Sequence, residues 1–309
     1  MNTNKTLKQL YIEHHGKVSD KWSLYLSSYD RLFSEFRDNN IRLLEIGIQN
    51  GGSLEIWAKY FTNASRLVGC DINKKCERLI FDDSRIDLVV GDANLDETEV
   101  KILSKTRTYD LIIDDGSHLS SDIIKSFARY FPHMIDGGMY VVEDLHCSYW
   151  QEFEGGLFDP FSSITFFKRL ADILNHEHWG ITRARHELLS GFAKQYHVSF
   201  DEEILAHIHS IEFINSICVI RKLCPEINEL GLREIVGEEA LNARDLRLLK
   251  FAEAFETLFV QQDRNEDRTI GQTLDLAWKM FGTIPANELT RVSKKLKEKY
   301  YKEVKESKE

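Results

Sequence analysis

The sequence lacks the features of several protein classes. No apolar run approaches the ~20 residues that a membrane span needs, and the first residues lack the apolar core of a signal peptide. The chain has fewer basic than acidic residues: 40 Lys and Arg and 50 Asp and Glu give a net charge of -10. The five cysteines form neither a CxxC pair nor a zinc spacing. We therefore predict a cytoplasmic protein with reduced thiols, no membrane span and no nucleic-acid partner.

Alternation of apolar and polar segments indicates the fold. Between residues 41 and 146, five apolar runs alternate with helix-compatible stretches; they are IRLLEIGI, RLVGCDI, IDLVVGDA, YDLIIDDG and MYVVEDLH. Nearly continuous apolar strands are typical of parallel sheets covered by helices on both faces. Residues 208–222 add a strand, a turn and a strand. The pattern predicts an α/β, Rossmann-like doubly wound sheet.

The chain beyond residue 222 has a different pattern. Its apolar residues follow helical spacing, and it shows no further strand signal. We predict a catalytic domain over residues 1–222 and a C-terminal helical extension over residues 223–309. Apolar positions in the extension must be covered, so it either closes over the active site or docks a second subunit. We favour an assembly role, in a homo-oligomer or with a partner enzyme.

The first predicted strand runs into a glycine-rich turn. Glu45, Gly47, Gly51 and Ser53 form the spacing ExGxxxGxS, which differs from the GxGxxG of dinucleotide-binding proteins. Glycines at such a turn let backbone N–H groups approach a nucleotide-like ligand. A plain strand-to-helix connection is the alternative.

Acidic residues end the later strands. Asp71 follows Gly51 by about 20 residues, the distance at which an acid reaches a ribose hydroxyl in these folds, although it could also cap a helix. Asp115 and then His118 follow the fourth strand, and Glu143 and Asp144 follow the fifth. Adjacent strands would bring these carboxylates together, where they suit Mg²⁺, Mn²⁺ or Ca²⁺ better than zinc. Asp114 could instead cap the next helix.

These motifs resemble known families. The glycine turn resembles the first motif of class I S-adenosylmethionine-dependent methyltransferases. The segments DDGSH and VVEDLHCSYW resemble the metal-dependent sugar O-methyltransferases of antibiotic biosynthesis, which act on macrolide glycosides and rhamnosyl groups, and the related cephalosporin hydroxylase-like proteins. The segment HHGKVSDKWSLYLSSYDRLF resembles that family's lead-in, which implies that residues 1–40 cover the cofactor.

The resemblance implies a role for each candidate residue. Cofactor contacts would come from Glu45, Gly47, Gly51, Ser53, Asp71, Asp92, Ala93 and Asp114, with Asp92 at the adenine amino group. The metal ligands would be Asp115, Glu143 and Asp144. His118 would be the general base. Substrate contacts would come from His146, Tyr149 and Trp150, although the two aromatic residues could equally belong to a closing lid and His146 to a plain loop.

The implied function is metal-dependent O-methylation of a sugar. S-adenosylmethionine would supply the methyl group, and Mg²⁺ or Mn²⁺ would orient a vicinal diol of a glycoside or a surface polysaccharide. His118 would take the hydroxyl proton. The alternatives are a catechol-like O-methyltransferase, a cephalosporin hydroxylase-like component and a non-catalytic subunit that binds the cofactor.

Overall fold

The computed structural model describes residues 5–225, 243–260, 267–289 and 291–302. The chain divides into two compact units, Met1–Pro225 and Glu226–Glu309. The division falls a few residues after the predicted boundary at residue 222. Backbone contacts continue past Lys222, because the N–H of Leu223 donates to the carbonyl of His207 at 2.9 Å.

Within the described residues, the first unit contains one seven-stranded sheet. Its strands are β1 (Arg42–Ile46), β2 (Arg66–Asp71), β3 (Ile86–Val90), β4 (Tyr109–Asp114), β5 (Met134–Val142), β6 (Ile208–Ile214) and β7 (Ile217–Lys222). The order across the sheet is β3-β2-β1-β4-β5-β7-β6. Strands β1 to β5 run parallel, and β7 runs antiparallel to both of its neighbours. The first four predicted apolar runs each contain one parallel strand, and the fifth contains the end of β5, which begins at Met134.

Helices and short 3₁₀ turns connect the strands. The α-helices of the first unit are α1 (Leu7–Ile12), α2 (Ser23–Phe33), α3 (Gly52–Tyr60), α4 (Asp96–Lys105), α5 (Ser120–Tyr130), α6 (Ser163–Leu174), α7 (Arg185–Leu188), α8 (Ser190–Tyr196) and α9 (Glu202–Ala206). The 3₁₀ helices are Ser34–Phe36, Lys74–Arg78, Phe131–His133, Leu145–Tyr149, Gln151–Phe153 and His176–His178. None of the helices in the described part of the chain is long and apolar enough to cross a bilayer.

The sheet separates two apolar cores. Successive side chains of a strand point to opposite faces, so Leu111 and Ile113 of β4 pack in one core and Ile112 packs in the other. Helices α2 and α3 cover the first core, and α5 and α6 cover the second. Burial on both faces explains why these strands are apolar almost throughout.

The sheet topology fixes where a ligand can bind. The chain order reverses beside β1, because β2 lies on one side of that strand and β4 on the other. In open α/β sheets the crevice at such a reversal, beyond the carboxyl ends of the strands, is the usual ligand site. The predicted candidate residues lie at these ends.

The described part of the second unit is helical. It contains α10 (Ala243–Ala254), which continues as π-helical turns over Phe255–Val260, then α11 (Ile270–Phe281) and α12 (Lys294–Tyr300). Aromatic rings join these elements: Phe251 stacks on Phe281 with centroids 5.9 Å apart, and Trp278 stacks on Tyr300 at 5.5 Å. Four apolar positions of the predicted extension lie outside the described part of the chain, two entirely and two in their side chains: Leu232, Ile235, Leu246 and Leu249.

Candidate active site

A cavity of about 440 Å³ opens at the carboxyl ends of the parallel strands. Its volume lies within the range of small-molecule sites. The predicted residues that line it are Gly47, Asp71, Asp92, Ala93, Asp114, Asp115, His118 and Asp144. From the N-terminal segment of residues 1–40, Asp20 also lines it. The predicted cofactor end and the predicted metal end therefore belong to one cavity.

Two glycines of the first turn are required by geometry. Gly47 has a φ of +84°, and a Cβ there would lie 2.0 Å from the carbonyl oxygen of Asp115. Gly51 has a φ of +79°, and a Cβ there would lie 2.5 Å from the ring of Phe81. Side chains at these positions would be strained and would clash. The turn after β1 can therefore pass directly against the turn after β4.

Glu45, Gly51 and Ser53 are not among the residues that line the cavity. Glu45 is fully buried, and the Ser53 hydroxyl donates to its Oε2 at 2.7 Å. Burial raises the pKa of Glu45, although nearby Lys21 and the Ser53 hydrogen bond act in the opposite direction. In the structure these three residues build the turn, and the cofactor contacts predicted for them stay a prediction.

Asp71 joins two loops at the edge of the cavity. Its Oδ2 accepts from the backbone N–H groups of Ile48 at 3.1 Å and Gln49 at 2.8 Å. Its Oδ1 accepts from the N–H of Asn73 at 2.8 Å. Asn73, rather than Asp71, caps the following 3₁₀ helix by accepting from the N–H of Lys75. The capping alternative for Asp71 is therefore wrong, and its carboxylate lies at the cavity wall.

The ends of β3 and β4 supply the middle of the cavity wall. Asp92 accepts from the N–H of Asn94 at 2.9 Å, and Ala93 beside it is buried. Asp114 is also buried; it accepts from the N–H of Gly116 and from the hydroxyl of Tyr140, both at 3.3 Å. Burial raises the pKa of Asp114 to about 7. Asp114 does not cap α5, whose N-cap position is Leu119, without a side-chain hydrogen bond.

Asp115, His118 and Asp144 converge at the other end of the cavity. One ligand atom from each lies within 4.8 Å of the others, and all three residues are half-buried. His118 Nε2 lies 3.7 Å from Asp144 Oδ2. His118 and Asp144 have φ values of +60° and +48°, which non-glycine residues adopt only where the surroundings hold them. The fold therefore holds these side chains together at a cost in backbone strain.

Tyr25 of α2 holds Asp144 in place. Its hydroxyl donates to Asp144 Oδ1 at 2.6 Å and accepts from the Asp144 backbone N–H at 3.3 Å. The same hydroxyl lies 2.8 Å from Ser216 Oγ, which also contacts Nδ1 of His146. Burial and Asp144 together raise the pKa of Tyr25. His146 is thereby directed toward the loop between β6 and β7, outside the cavity lining.

Glu143 is separated from the converging group by Lys21. The buried Lys21 ammonium lies 2.6 Å from Glu143 Oε1, 2.8 Å from Asp115 Oδ2 and 3.2 Å from Glu45 Oε1. Burial alone would lower the pKa of Lys21, but these carboxylates raise it well above its usual range. Burial and Asp115 raise the pKa of Glu143. Of the predicted ligand set, Asp115 and Asp144 lie in the converging group with His118, while Glu143 lies against Lys21.

The donor set fits a hard divalent cation. Carboxylate oxygens are the ligands that Mg²⁺ and Mn²⁺ prefer, Asp115 and Asp144 supply them, and none of the converging residues is a cysteine. One ammonium faces three carboxylates around Lys21, so negative charge remains in excess. Such an excess is relieved by protonation or by a bound cation.

Aromatic rings extend along one side of this acidic group. Tyr149 and Trp150 are exposed and do not line the cavity. The ring of His146 packs edge-on against Trp150 at 5.0 Å and against Trp22 at 6.4 Å. Phe153 connects Trp150 to His118, with centroids 6.0 Å and 6.4 Å apart. We call this series of rings, from Trp22 to Phe153, the aromatic rim.

Sequence reasoning missed Lys21, Tyr25 and Ser216. Lys21 stands in the SDK segment, where the lead-in resemblance could have drawn attention to it. Tyr25 and Ser216 carry no local signal, because their importance depends on contacts with a residue more than a hundred positions away in the sequence.

Comparison with known proteins supports the fold. The structure of the MycE methyltransferase from the mycinamycin biosynthetic pathway, in complex with Mg and SAH, matches with a TM-score of 0.61 and 25% identity, over 76% of this chain and 57% of that one. The predicted class I methyltransferase type of the α/β sheet is confirmed.

The sequence comparison confirms the predicted resemblance. The 8-demethyl-8-alpha-L-rhamnosyl tetracenomycin-C 2'-O-methyltransferase of Streptomyces olivaceus is 37% identical over 172 residues, 52% of this chain and 44% of that protein. The chain therefore spans less than half the length of this curated relative.

The second unit resembles a different protein. Residues 226–301 match the family model "C-terminal domain of V and A type ATP synthase". One of the A-type ATP synthase subunits of Methanosarcina barkeri (strain Fusaro / DSM 804) is 51% identical over 71 residues, 23% of this chain and 15% of that protein. The chain thus joins segments that are similar to two unrelated kinds of protein.

Proposed function

We propose that residues 1–225 catalyse transfer of a methyl group from S-adenosylmethionine to a sugar hydroxyl. The observation that carries this proposal is the single cavity that contains Asp71 and Asp92 at one end and Asp115, His118 and Asp144 at the other. A cofactor and an acceptor bound in it would be neighbours. The two similar proteins named above for this part of the chain are both methyltransferases, which supports the same reaction.

The cofactor would occupy the end of the cavity at β1, β2 and β3. Asp71 has both carboxylate oxygens bonded to backbone N–H groups, which fixes it at the wall with acceptor capacity left for ribose hydroxyls. Asp92 and the buried Ala93 would border the adenine. Gly47 has no side chain and packs against the Asp115 backbone, so the turn after β1 lies directly beside the proposed acceptor end.

Asp115 and Asp144 would hold Mg²⁺ or Mn²⁺ at the other end. A bound divalent cation supplies positive charge that favours ionisation of a sugar hydroxyl and orients a vicinal diol. His118 would take the hydroxyl proton at an unprotonated ring nitrogen, and Asp144, whose Oδ2 lies 3.7 Å from its Nε2, would stabilise the resulting imidazolium charge. Glu143 would join the ligands only where its contact with Lys21 is broken. In-line attack on the sulfonium methyl group then requires mainly positioning.

The aromatic rim supports a sugar as the acceptor. Exposed rings offer an apolar face to the C–H groups of a sugar. Trp150 packs against Phe153, and Phe153 packs against His118, so the rim leads to the proposed base. Tyr149 and His146 would contribute from the same loop. A glycoside, whose ring carries vicinal hydroxyls, matches both the rim and the acidic group.

Methyl transfer to a rhamnosyl glycoside with added Mg²⁺ tests the proposal. We expect turnover to be lost in excess EDTA and restored by Mg²⁺. His118→Ala should lower turnover by roughly 10²- to 10⁴-fold with little change in cofactor affinity. His209→Ala, an exposed position on β6, is the matched control. Full activity in EDTA would refute the role of the metal.

The same assay separates the alternatives. A catechol-like enzyme would methylate an aromatic diol in preference to the glycoside. A cephalosporin hydroxylase-like component or a binding subunit would bind the cofactor without methylating either acceptor. The sugar, the hydroxyl that is methylated and a cytoplasmic location stay predictions.

We propose that the second unit is an assembly module. Its similarity to part of a multi-subunit enzyme favours this role over a lid on the active site. Ile270, Leu274 and Leu258 each expose more than half of their side chains, which suits a surface that meets another chain. A second copy of this chain is the first candidate and a glycosyltransferase the second. Light scattering on a chain that ends at Pro225 tests the proposal.

A further inference from the structure

Lys21 has no part in the methyl transfer described above, yet it lies at the centre of the acidic residues. Its side chain is 4% exposed, and its three ammonium donors face three carboxylates within 3.2 Å. It is anchored through its own backbone, because its N–H donates to the Tyr11 hydroxyl at 3.1 Å. The Lys21 ammonium therefore supplies, from the protein itself, a positive charge that partly neutralises these three carboxylates.

The Asp115 carboxylate belongs to two neighbouring sites that favour positive charge. One is occupied by the Lys21 ammonium, and the other is the proposed metal site. Its Oδ2 contacts the Lys21 ammonium at 2.8 Å. A ligand atom of the same residue lies within 4.8 Å of ligand atoms of His118 and Asp144. Like charges at such neighbouring positions repel, so the ammonium disfavours a divalent cation beside it.

Glu45 offers Lys21 another position. Its carboxylate lies outside the cavity lining, is fully buried and is fixed by the Ser53 hydroxyl. A lysine side chain has a flexible four-carbon stem, so its ammonium can move toward Glu45 while its backbone stays anchored. Asp115, which already lines the cavity, would then lose its contact with the ammonium, and Glu143 would be free to turn toward the cavity.

We propose that Lys21 and the divalent cation compete for Asp115 and Glu143. Lys21 keeps the carboxylates assembled when no metal is bound, and the metal must displace its ammonium toward Glu45. This inference rests on the metal site of the proposed function. It accounts for the contact between a lysine and Glu143, a residue that we predicted as a metal ligand.

Titration calorimetry with Mg²⁺ and with Mn²⁺, on the full chain without acceptor, tests the competition. The variants are K21M, which keeps the length of the side chain, and K21Q, which keeps an N–H donor. Both should bind the metal at least about tenfold more tightly than the unaltered chain, because the repelling charge is gone. K17M removes one positive charge from the same segment, at the Glu55 ion pair, and should change the affinity less than about twofold.

Thermal unfolding supplies a second measurement. Without metal, K21M should melt below the unaltered chain, and Mg²⁺ should raise its Tm by more than it raises that of the unaltered chain. Equal or weaker metal binding by both Lys21 variants would overturn the inference alone. Failure of both variants to fold even with Mg²⁺ would also overturn it, since Lys21 would then be a structural requirement. Absence of metal binding by the unaltered chain would overturn the proposed metal site as well.

Discussion

At the scale of single residues, Gly47 brings the cofactor end and the metal end of the cavity together. Its missing Cβ lets the turn after β1 touch the turn after β4. Asp71 holds the same turn from the side of β2 through its bonds to Ile48 and Gln49. Both residues shape the turn after β1. Gly47 does so because it has no side chain, and Asp71 does so by accepting hydrogen bonds from the backbone.

Gly47→Ala should be strongly destabilising. The φ of +84° costs about 1–3 kcal/mol for alanine, and the clash with the Asp115 carbonyl adds about 1–3 kcal/mol. Gly137→Ala is a matched control, because Gly137 has a φ of +83° and a Cβ there would meet no atom within 4 Å. Urea unfolding of both variants measures the difference. Equal losses would show that the close approach carries no cost of its own.

Asp71→Asn should weaken cofactor binding. An amide keeps one acceptor oxygen, so it cannot accept on both sides of the loop and also accept from a ribose. We expect the dissociation constant for S-adenosylmethionine to rise by about tenfold or more, since a polar contact to the ligand is worth about 1–3 kcal/mol. Asp87→Asn, on β3 but outside the cavity lining, should leave it unchanged. An unaltered dissociation constant in Asp71→Asn would refute the ribose contact.

At the scale of elements, helix α2 matters for the site because it carries Tyr25 to the end of β5. The helix packs in the core through Leu26, Tyr29 and Phe33, which fixes where its first turn lies. Asp144, in a left-handed conformation at that strand end, accepts a hydrogen bond from the Tyr25 hydroxyl. An N-terminal helix and a distant strand thus build one corner of the site.

Tyr25→Phe should lower the affinity for Mg²⁺ by about 10- to 100-fold, the usual effect of losing a partner that orients a metal ligand. Tyr109→Phe is the control, because its buried hydroxyl donates to the Ile102 carbonyl at 3.0 Å, away from the cavity lining. Both variants lose a hydrogen bond worth about 1 kcal/mol of folding free energy. Calorimetry that finds the same metal affinity in both would contradict the orienting role of Tyr25.

At the scale of the whole molecule, the first unit contains the complete sheet. Strand β7 pairs with both β5 and β6, and its last residue, Lys222, donates to the carbonyls of Pro132 at 3.0 Å and Met134 at 2.8 Å. The chain up to Pro225 therefore includes every strand in the described residues. It also includes Lys222, which donates to backbone carbonyls at the start of β5.

A chain that ends at Pro225 should keep its affinity for S-adenosylmethionine and lose the oligomeric state of the full chain. Calorimetry measures the first property, and light scattering measures the second. A chain that ends at Arg221 should instead be unstable, since it lacks Lys222 and leaves buried carbonyls without a donor. The same number of subunits in the full chain and the Pro225 chain would contradict an assembly role for residues 226–309.

The sequence by itself determined the sheet and the identity of the acidic residues that line the cavity at the ends of β2, β3, β4 and β5. Strands that are buried on both faces must be apolar throughout, so β1 to β5 were readable as runs. Parallel strands end at one edge, so Asp71, Asp92 and Asp115 could be assigned to a common crevice before their distances were known. These properties depend on local pattern and on chain direction, which sequence carries directly.

Only the tertiary structure decided which side chains meet. Lys21 reaches Glu143 across 122 positions of sequence, and Tyr25 reaches Asp144 across 119. The sequence left open whether Asp71 caps the next helix, because Asp accepts from backbone N–H groups; in the structure Asn73 is the cap. Such choices depend on the packing of α2 and of the loops against the sheet. The physical reason is that burial and charge pairing are set by distances in space, which residue type and spacing do not specify.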